Sequence, residues 1–371
     1  MKKLGFGCMR LPLLNKEVAS SVDVEQTCRM FDYFLDNGFT YFDTAYMYHD
    51  FQSERFVKQC LVERHDRNSF TLTSKLPLWE LKTEADQLRI FEEQLEKTGV
   101  TYFDYYMAHN LTKEYIGKVR EFKTFDFLRQ LKKEGRIKSL GFSTHDDPEF
   151  IDMILTENPD IDFVQIQLNY LDWLDPKILS KGNYEVCKKH NKKIIIMEPV
   201  KGGTLANVPE KAKDLFLSYN KDASVASYAI RFAAELDNVM MVLSGMSNME
   251  QVIDNVSYMS DFKPLNEEEH MIIQKVVGII NENDLIKCTK CNYCLEGCPL
   301  NINIPKYFGL YNSLKMTNNM NFDVVKEEYE ETKENYGSPK DCIKCKACEA
   351  TCPQHLSIVD YLKKINWLFE K

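Results

Sequence analysis

The chain has 371 residues, of which 44% are apolar, and a formal net charge of −9 at pH 7. This size and composition indicate a globular protein with room for one large domain and one small one. The acidic balance argues against nucleic acid as a partner, because phosphate neutralisation requires a basic surface. No apolar run approaches the roughly 18 residues of a membrane helix. The N-terminal stretch is too short and interrupted for a signal-peptide core, so we expect a cytoplasmic protein without a membrane partner.

Up to about residue 262, short β-rich runs alternate with longer amphipathic stretches, a pattern typical of repeated βα units around a parallel sheet. The candidate strands are Leu4–Cys8, Thr40–Asp43, Phe70–Ser74, Phe103–Ala108, Ser139–Ser143, Phe163–Leu168, Lys193–Glu198 and Val239–Ser244. The candidate helices include Val24–Asn37, Glu84–Thr98, Phe122–Lys133 and Ala223–Ala234. Eight such strands predict an α/β fold, a (β/α)8 TIM barrel over residues 1–265. A doubly wound sheet is the alternative, but no G-x-G-x-x-G motif follows a strand.

The remaining residues, 266–371, predict a second, small and mostly α-helical domain. A connecting helix is expected near Asn266–Asn281, and further helical patterns cover Pro305–Lys315, Phe322–Tyr336 and Ile358–Phe369. Two cysteine runs, at residues 288–298 and 342–352, flank a long helical insert. The insert resembles the α-helical ferredoxin modules that accompany larger oxidoreductases.

Eight of the 12 cysteines lie in two copies of the motif C-x2-C-x2-C-x3-C-P. Thiolates spaced in this way hold [4Fe–4S] clusters in bacterial-type ferredoxins, and the fourth cysteine of each run usually binds the other cluster. The sequence therefore predicts two [4Fe–4S] clusters. Cluster one is assigned to Cys288, Cys291, Cys294 and Cys352, and cluster two to Cys298, Cys342, Cys345 and Cys348.

Zinc and disulfide bonds are the alternatives for these cysteines. Structural zinc requires four ligands, and two identical four-cysteine runs are unusual for it. Disulfides require an oxidising compartment, which the N-terminus does not indicate. The four scattered cysteines are interpreted as ordinary buried thiols: Cys8, Cys28, Cys60 and Cys187.

Four polar residues stand at the carboxyl ends of three successive barrel strands, where catalytic groups of this fold lie. Asp43 ends the second strand with Tyr48 five residues on, Lys75 ends the third, and His109 ends the fourth. This tetrad resembles that of the aldo-keto reductase family, and the resemblance extends across nearly the whole barrel. It implies an oxidoreductase that reduces an aldehyde or ketone, or oxidises the alcohol.

Carbonyl reduction by hydride explains the four residue types. Negative charge builds on the carbonyl oxygen, and Tyr48, with an ordinary pKa near 10, would supply the proton. We expect Lys75 to lower the pKa of Tyr48 and Asp43 to orient Lys75. His109 would donate a hydrogen bond to the carbonyl oxygen.

The resemblance also implies a nicotinamide cofactor, NADPH or NADH. Thr144 replaces the family's Asn beside Ser143, Met197 replaces its aromatic stacking residue, and Gln251 stands where an arginine is common. Because no Lys or Arg occurs from Ser244 to Asn255, preference for the 2′-phosphate of NADPH does not follow. The residues carried over as cofactor contacts are Ser143, Thr144, Gln165, Met197, Pro199, Gly202, Ser244, Gly245, Met246, Ser247, Asn248, Gln251 and Asn255.

The two redox chemistries differ, since a nicotinamide moves two electrons as hydride and a [4Fe–4S] cluster moves one. A flavin could split the pair, although no flavin motif is recognised. The arrangements left open are a flavin in the barrel, a ferredoxin or flavoprotein electron partner, and clusters that are structural. An alternative function is an electron-transfer protein whose barrel is a docking or regulatory scaffold with a vestigial tetrad. Pocket candidates for a small carbonyl or alcohol substrate are Arg10, Tyr46, Trp79, Asn110, Tyr170 and Trp173.

Overall fold

The computed structural model describes residues 2–316 and 320–370. They form two compact units. The barrel unit comprises Met1–Pro199 and Ala229–Leu265, and the C-terminal unit comprises Val200–Tyr228 and Asn266–Lys371. Residues 200–228 therefore cluster with the C-terminal residues, although the sequence analysis placed them within the barrel domain 1–265.

The barrel unit is built on a closed sheet whose strands follow one another in chain order. Every neighbouring pair is parallel, and β1 pairs with both β2 and β8. The predicted (β/α)8 barrel is thereby confirmed, and the doubly wound alternative is wrong. The strands are β1 Leu4–Gly7, β2 Tyr41–Asp43, β3 Thr71–Pro77, β4 Phe103–His109, β5 Ile137–Thr144, β6 Phe163–Gln167, β7 Lys193–Met197 and β8 Val239–Ser244.

Helices follow the strands at the places that the sequence pattern indicates. Some begin at a side-chain cap: Asp23 accepts a hydrogen bond from the Gln26 amide at 2.9 Å before the first of them. The helices are α1 Val24–Asp36, α2 Tyr48–Phe51, α3 Ser53–Val57, α4 Ala85–Thr98, α5 Ile116–Glu121, α6 Thr124–Lys133, α7 Pro148–Glu157, α8 Ser180–Lys189, α9 Glu210–Tyr219, α10 Val225–Ala234, α11 Met249–Ser260, α12 Glu267–Glu282, α13 Tyr293–Glu296, α14 Ile304–Met316, α15 Phe322–Asn335, α16 Ala347–Ala350 and α17 Ile358–Phe369.

Large side chains fill the inside of the barrel, as this fold requires. Tyr41, Met107, Phe163 and Met241 belong to one fully buried cluster. Gly141 on β5 leaves room for this packing, because a Cβ there would lie 2.5 Å from the carbonyl oxygen of Phe163. The interior is therefore a packed core, and chemistry is confined to the strand ends.

The C-terminal unit has its own apolar core, in which α14, α15 and α17 contribute buried residues. Tyr329 on α15 stacks on Phe369 of α17 with ring centroids 4.6 Å apart. The short helices α13 and α16 each lie within one cysteine run and each begin after a left-handed residue, Asn292 with φ 68° and Lys346 with φ 64°. The two cysteine runs thus adopt the same local backbone.

Residues 200–228 are fixed to the rest of the C-terminal unit by polar and backbone contacts. The buried ammonium of Lys201 donates to Gln354 Oε1 at 2.7 Å, and Asn266 Nδ2 donates to the Tyr219 hydroxyl at 2.8 Å. Gly202 has φ +62°, and a Cβ on it would lie 2.4 Å from the carbonyl oxygen of Thr289. Glycine at position 202 is therefore required by the close approach of the two backbones as well as by its positive φ.

One cysteine expectation is wrong. Cys28 on α1 and Cys60 form a disulfide, because the packing of α1 against the segment after α3 brings their Cα atoms to 4.5 Å. Cys8 and Cys187 are free and buried, as expected. Along the described part of the chain, no helix has both the length and the apolar character needed to cross a membrane.

Gly202→Ala should destabilise the protein more than Gly203→Ala does. Both glycines have positive φ, so both variants incur left-handed strain, but a Cβ on Gly203 meets nothing closer than Asn207 Nδ2 at 4.0 Å. The difference between their free energies of unfolding isolates the clash with Thr289, and we expect about 1–3 kcal/mol from overpacking. Denaturant unfolding measures it. Equal stabilities of the two variants would show that Gly202 and Thr289 are not in contact.

Candidate active site and cluster sites

The centre of the candidate active site is a buried ion pair between adjacent strands. Lys75 Nζ donates to Asp43 Oδ1 at 2.5 Å and to the carbonyl oxygen of Thr44 at 2.8 Å. The side chain of Lys75 is fully buried. Burial raises the pKa of Asp43, and the Lys75 ammonium opposes that rise. The carboxylate thus holds the lysine at one place at the end of the barrel.

Tyr48 lies next to this pair. Lys75 Nζ stands 5.1 Å from the centroid of the Tyr48 ring, in the range of a cation–π contact. Burial, followed by the charge of Asp43, raises the pKa of Tyr48 well above its ordinary value. The net shift is therefore upward because burial dominates, and the contribution expected of Lys75 stays a prediction. Tyr48 keeps its proton at neutral pH, which is the form that a proton donor needs.

His109 is the third aromatic group at this end of the barrel. Its ring centroid lies 6.3 Å from that of Tyr48 and 5.0 Å from that of Trp79. Burial, and then the charge of Lys75, lowers the pKa of His109 well below its ordinary value. The imidazole is thus neutral and retains one N–H to donate. Its Nδ1 has no hydrogen-bond partner among the described residues.

A strained turn follows Tyr48. His49, Asp50 and Phe51 have φ values of 52°, 53° and 64°, which L-residues rarely adopt in sequence. His49 stabilises the turn from inside, since its Nδ1 lies 2.7 Å from the Ala19 carbonyl and its Nε2 accepts from the Leu11 amide at 3.3 Å. Strain of this kind persists at functional sites where the surroundings determine the backbone.

Sequence reasoning missed a buried polar network behind Lys75. Gln94 Nε2 donates to Glu54 Oε1 at 2.7 Å and to the carbonyl oxygen of Lys75 at 3.0 Å. Ser74 Oγ also donates to Glu54, and the Tyr106 hydroxyl donates to Gln94 Oε1. Burial raises the pKa of Glu54 to about 7. The signal was present in the sequence, because Glu54 occupies the same helical face as the buried Val57.

The predicted nicotinamide contacts on β5 and β6 lie at strand ends with polar groups available. Ser143 Oγ and Thr144 Oγ1 each accept a backbone N–H, from Asn110 and Asp146, and so can still donate their hydroxyl protons. Gln165 is buried, and its Oε1 has no partner in the described part of the chain. An unsatisfied buried acceptor of this kind fits the amide N–H of a nicotinamide.

The predicted cofactor contacts after β7 are divided between the two units. Met197 and Pro199 belong to the barrel unit, where Met197 Sδ lies 3.7 Å from Gln165 Nε2. Glu198 between them has φ 56°, its carbonyl accepts from Asn169 Nδ2 at 3.1 Å, and its charge contributes to raising the pKa of Tyr48. Gly202 belongs to the C-terminal unit and packs against Thr289.

The segment after β8 is organised by its own side chains. Asn248 caps α11 by accepting from the Gln251 amide at 2.9 Å, and Gln251 Oε1 accepts from the Ser247 amide at 2.7 Å. Asn255 Nδ2 donates to Ser244 Oγ at 2.6 Å. The remaining members are Gly245 and the buried Met246. Both predicted adenosine-side contacts, Gln251 and Asn255, therefore serve first to shape this segment.

Arg10, which lies outside this segment, packs against it. Side-chain carbons of Arg10 would lie 3.0–3.3 Å from a Cβ on Gly245, and Ser247 Oγ donates to the Arg10 carbonyl at 2.8 Å. Arg10 also acts against the raised pKa of Tyr48. Arg10 is thus a basic residue whose aliphatic stem lies beside a segment that has no Lys or Arg of its own.

The other pocket candidates divide between the site and ordinary packing. Trp79 contacts His109, as described above. Tyr46 donates to Glu93 at 3.1 Å, and Trp173 packs against Tyr184 and Phe232. The backbone N–H of Asn110 donates to Ser143 Oγ, and the buried Tyr170 packs against Phe232.

The cysteine runs bring their sulfurs together across the repeat. Burial raises the pKa of the Cys294 thiol, and the neighbouring groups that raise it further are Cys291, Cys288 and Cys352, with Cys348 beyond them. An open pocket is lined by Cys298, Cys342, Cys345 and Cys348 together with apolar side chains such as Ile302 and Leu362. In each set the fourth cysteine comes from the other run, which is the arrangement on which the assignment of clusters one and two rests. Four thiols in each set are the number of ligands that a [4Fe–4S] cluster requires.

Comparisons with known proteins agree with both units. Residues 3–277 match the model of the aldo/keto reductase family, and residues 287–356 match that of the 4Fe-4S dicluster domain. The chain is 23% identical over 266 residues to the 9,11-endoperoxide prostaglandin H2 reductase of Trypanosoma cruzi, covering 71% of this chain and 87% of that protein. A 107-residue stretch is 33% identical to a component of the ion-translocating oxidoreductase complex of Buchnera aphidicola, covering 27% of this chain and 20% of that protein.

Solved structures show the same barrel. A Bacillus halodurans aldo-keto reductase in its holo form matches with a TM-score of 0.60 and 25% identity, over 74% of this chain and 91% of the other. A Klebsiella pneumoniae aldo-keto reductase in complex with NADPH matches with a TM-score of 0.60 and 20% identity, over 74% and 90% of the two chains. Because the family match spans most of the chain, this protein belongs to the aldo/keto reductase family and carries a C-terminal 4Fe-4S dicluster domain.

Proposed function

We propose that the protein is an NAD(P)H-dependent reductase of an aldehyde or ketone, or the corresponding alcohol dehydrogenase, whose C-terminal unit carries two [4Fe–4S] clusters for electron transfer. The observation that carries the proposal is the Asp43–Lys75 pair beside a protonated Tyr48 and a neutral His109. The protonated Tyr48 and the neutral His109 are in the states that carbonyl reduction requires.

The residues divide the chemistry between them. When bound, the nicotinamide supplies the hydride, and Ser143, Thr144 and Gln165 would hold its carboxamide. His109 donates its N–H to the carbonyl oxygen and stabilises the charge that develops there. Tyr48 gives its proton to that oxygen. The Lys75 ammonium then stabilises the phenolate that Tyr48 becomes.

The nucleotide is held at its other end by the segment after β8 and by Arg10. We propose that the Arg10 guanidinium meets a nucleotide phosphate, because its stem packs on Gly245 and the segment 244–255 contains no cation. The NADPH complex of the Klebsiella pneumoniae relative supports NADPH as the first candidate. NADH remains the second.

Electron transfer by the clusters requires a centre that converts one hydride into two single electrons. A flavin or a flavoprotein partner has this chemistry. We therefore propose an external partner for the cluster-bearing unit, either a flavoprotein that splits the hydride or a ferredoxin that exchanges single electrons with the clusters directly.

Tyr48→Phe should lower kcat/KM for NADPH-dependent carbonyl reduction by about 10²–10⁴-fold, the usual contribution of a general acid. The assay is nucleotide oxidation with a panel of small aldehydes and ketones. Tyr46→Phe is the matched control, since it removes a hydroxyl two residues away that donates to Glu93, and it should change the rate little. A parent protein without carbonyl turnover but with reducible clusters would favour the electron-transfer alternative with a vestigial tetrad.

Arg10→Met should raise the nucleotide dissociation constant by about 10–100-fold, the loss expected for one hydrogen bond to a charged group. Fluorescence titrations with NADPH and NADH measure it. If only NADPH binding is weakened, Arg10 contacts the 2′-phosphate. If NADPH and NADH binding are weakened equally, Arg10 contacts the pyrophosphate. Arg55→Met changes an exposed arginine and should leave both constants unaltered. Unchanged binding in Arg10→Met would refute the assignment.

NADPH or NADH alone should leave both clusters oxidised in protein purified without oxygen. The physical reason is the mismatch between a two-electron donor and one-electron acceptors when no electron-splitting centre is present. Electron paramagnetic resonance and visible absorbance follow the clusters, and dithionite provides the positive control. Rapid cluster reduction by either nucleotide would contradict the need for an external partner and indicate a bound flavin.

A further inference from the structure

The two cysteine loops of the C-terminal unit repeat one backbone, so their residues can be compared in pairs. Lys290 and Lys344 have φ 54° and 62°, and Asn301 and His355 have φ 50° and 48°. Each pair stands at the same place in its run. A difference between paired residues is therefore a difference between the surroundings of the two clusters.

Thr289 and Ile343 are such a pair, and they are covered differently. Thr289, which follows Cys288, is 1% exposed and lies against the backbone of Gly202. Ile343, which follows Cys342, is an apolar side chain that is 63% exposed. The loop of cluster one is thus covered by another segment of the chain, and the equivalent apolar position of cluster two is open to solvent.

Cys345 is also exposed, and it is the single exposed cysteine among the eight of the two runs. Its thiolate is assigned to cluster two, whose pocket includes Ile343 and Lys346 in its lining. One edge of this cluster site therefore reaches the surface.

Three exposed lysines surround that edge. Lys340, Lys344 and Lys346 form no ion pair or side-chain hydrogen bond within the described residues. The acidic residues next to these lysines in the sequence are Asp341, which is exposed, and Glu349, whose Oε1 accepts from the Val359 amide at 2.9 Å. The loop from residue 340 to residue 346 therefore carries a local excess of positive charge on a chain whose net charge is −9.

Lys346 shows that this charge has a structural cost. It has φ 64°, and its counterpart in the first run is Asn292 with φ 68°. Asn tolerates the left-handed region, whereas other L-residues incur roughly 1–2 kcal/mol there. The second loop thus carries a lysine at a position where asparagine fits the same backbone with less strain.

We propose that the cluster-two face, defined as Lys340, Ile343, Lys344, Cys345 and Lys346, is the docking surface for a small acidic one-electron carrier protein. The lysines match an acidic partner, Ile343 gives an apolar contact, and the exposed Cys345 gives a short path to the cluster. One electron passes from the reduced carrier to oxidised cluster two, so the carrier loses one electron and the cluster gains one, with no bond made or broken. This inference rests on the proposed function of the clusters.

The test is stopped-flow reduction of the full-length, cluster-loaded protein by a photoreduced plant-type two-iron ferredoxin, which is acidic. Lys344→Glu should lower the bimolecular rate constant by about tenfold or more at low ionic strength, and the loss should shrink as salt screens the charges. Ile343→Thr/Lys346→Asn gives residues 342–346 the same sequence as residues 288–292. It should fold at least as well as the parent protein and still react more slowly.

Lys275→Glu is the charge-matched control, because Lys275 is an exposed lysine on α12. Its rate constant should equal that of the parent protein. Iron content and the midpoint potential of cluster two, from a titration followed by electron paramagnetic resonance, should be the same in all variants. Rate constants within twofold of the parent protein in the loop variants, or an equal loss in Lys275→Glu, would overturn the docking surface. A parent protein that binds no clusters would instead refute the proposed function.

Discussion

The ion pair between Lys75 and Asp43 is the constraint on which the candidate active site depends. An ammonium group without solvent needs compensation, and the barrel provides it from the neighbouring strand, where Asp43 and the carbonyl of Thr44 accept its hydrogen bonds. The register of β2 with β3, in which Asp43 is opposite Thr73, places the two side chains at the same end of the barrel. Removing one partner of such a pair leaves a buried charge and costs about 3–5 kcal/mol.

Burial then sets the protonation states around that pair. It raises the pKa of Tyr48 and lowers that of His109, so both groups are neutral at physiological pH. In the proposed reaction, the same burial that keeps the proton on Tyr48 would make the developing charge on a substrate oxygen costly. Tyr48 and His109 would be the donors that stabilise that charge.

Periodicity and motif spacing predicted the eight strands and the cysteine sets because both are repeated patterns along the chain. They could not predict contacts between distant segments. The disulfide between Cys28 and Cys60, the packing of Arg10 on Gly245 and the attachment of Lys201 to Gln354 all depend on tertiary packing. The upward shift of the Tyr48 pKa could not be predicted for the same reason, since a residue list shows neighbouring charges but not the depth of burial.

The spacing of the cysteines is identical in the two runs, so spacing cannot decide which of the two proposed clusters would exchange electrons with other molecules. The residues that cover each loop do distinguish the two sites. Near cluster one, Gly202 lies on Thr289 and Lys201 holds Gln354, two residues beyond Cys352. Near cluster two, Ile343 and Cys345 are exposed. Because electron exchange with a protein carrier requires close approach, the uncovered loop can meet a partner directly, and the covered loop can be reached only through protein.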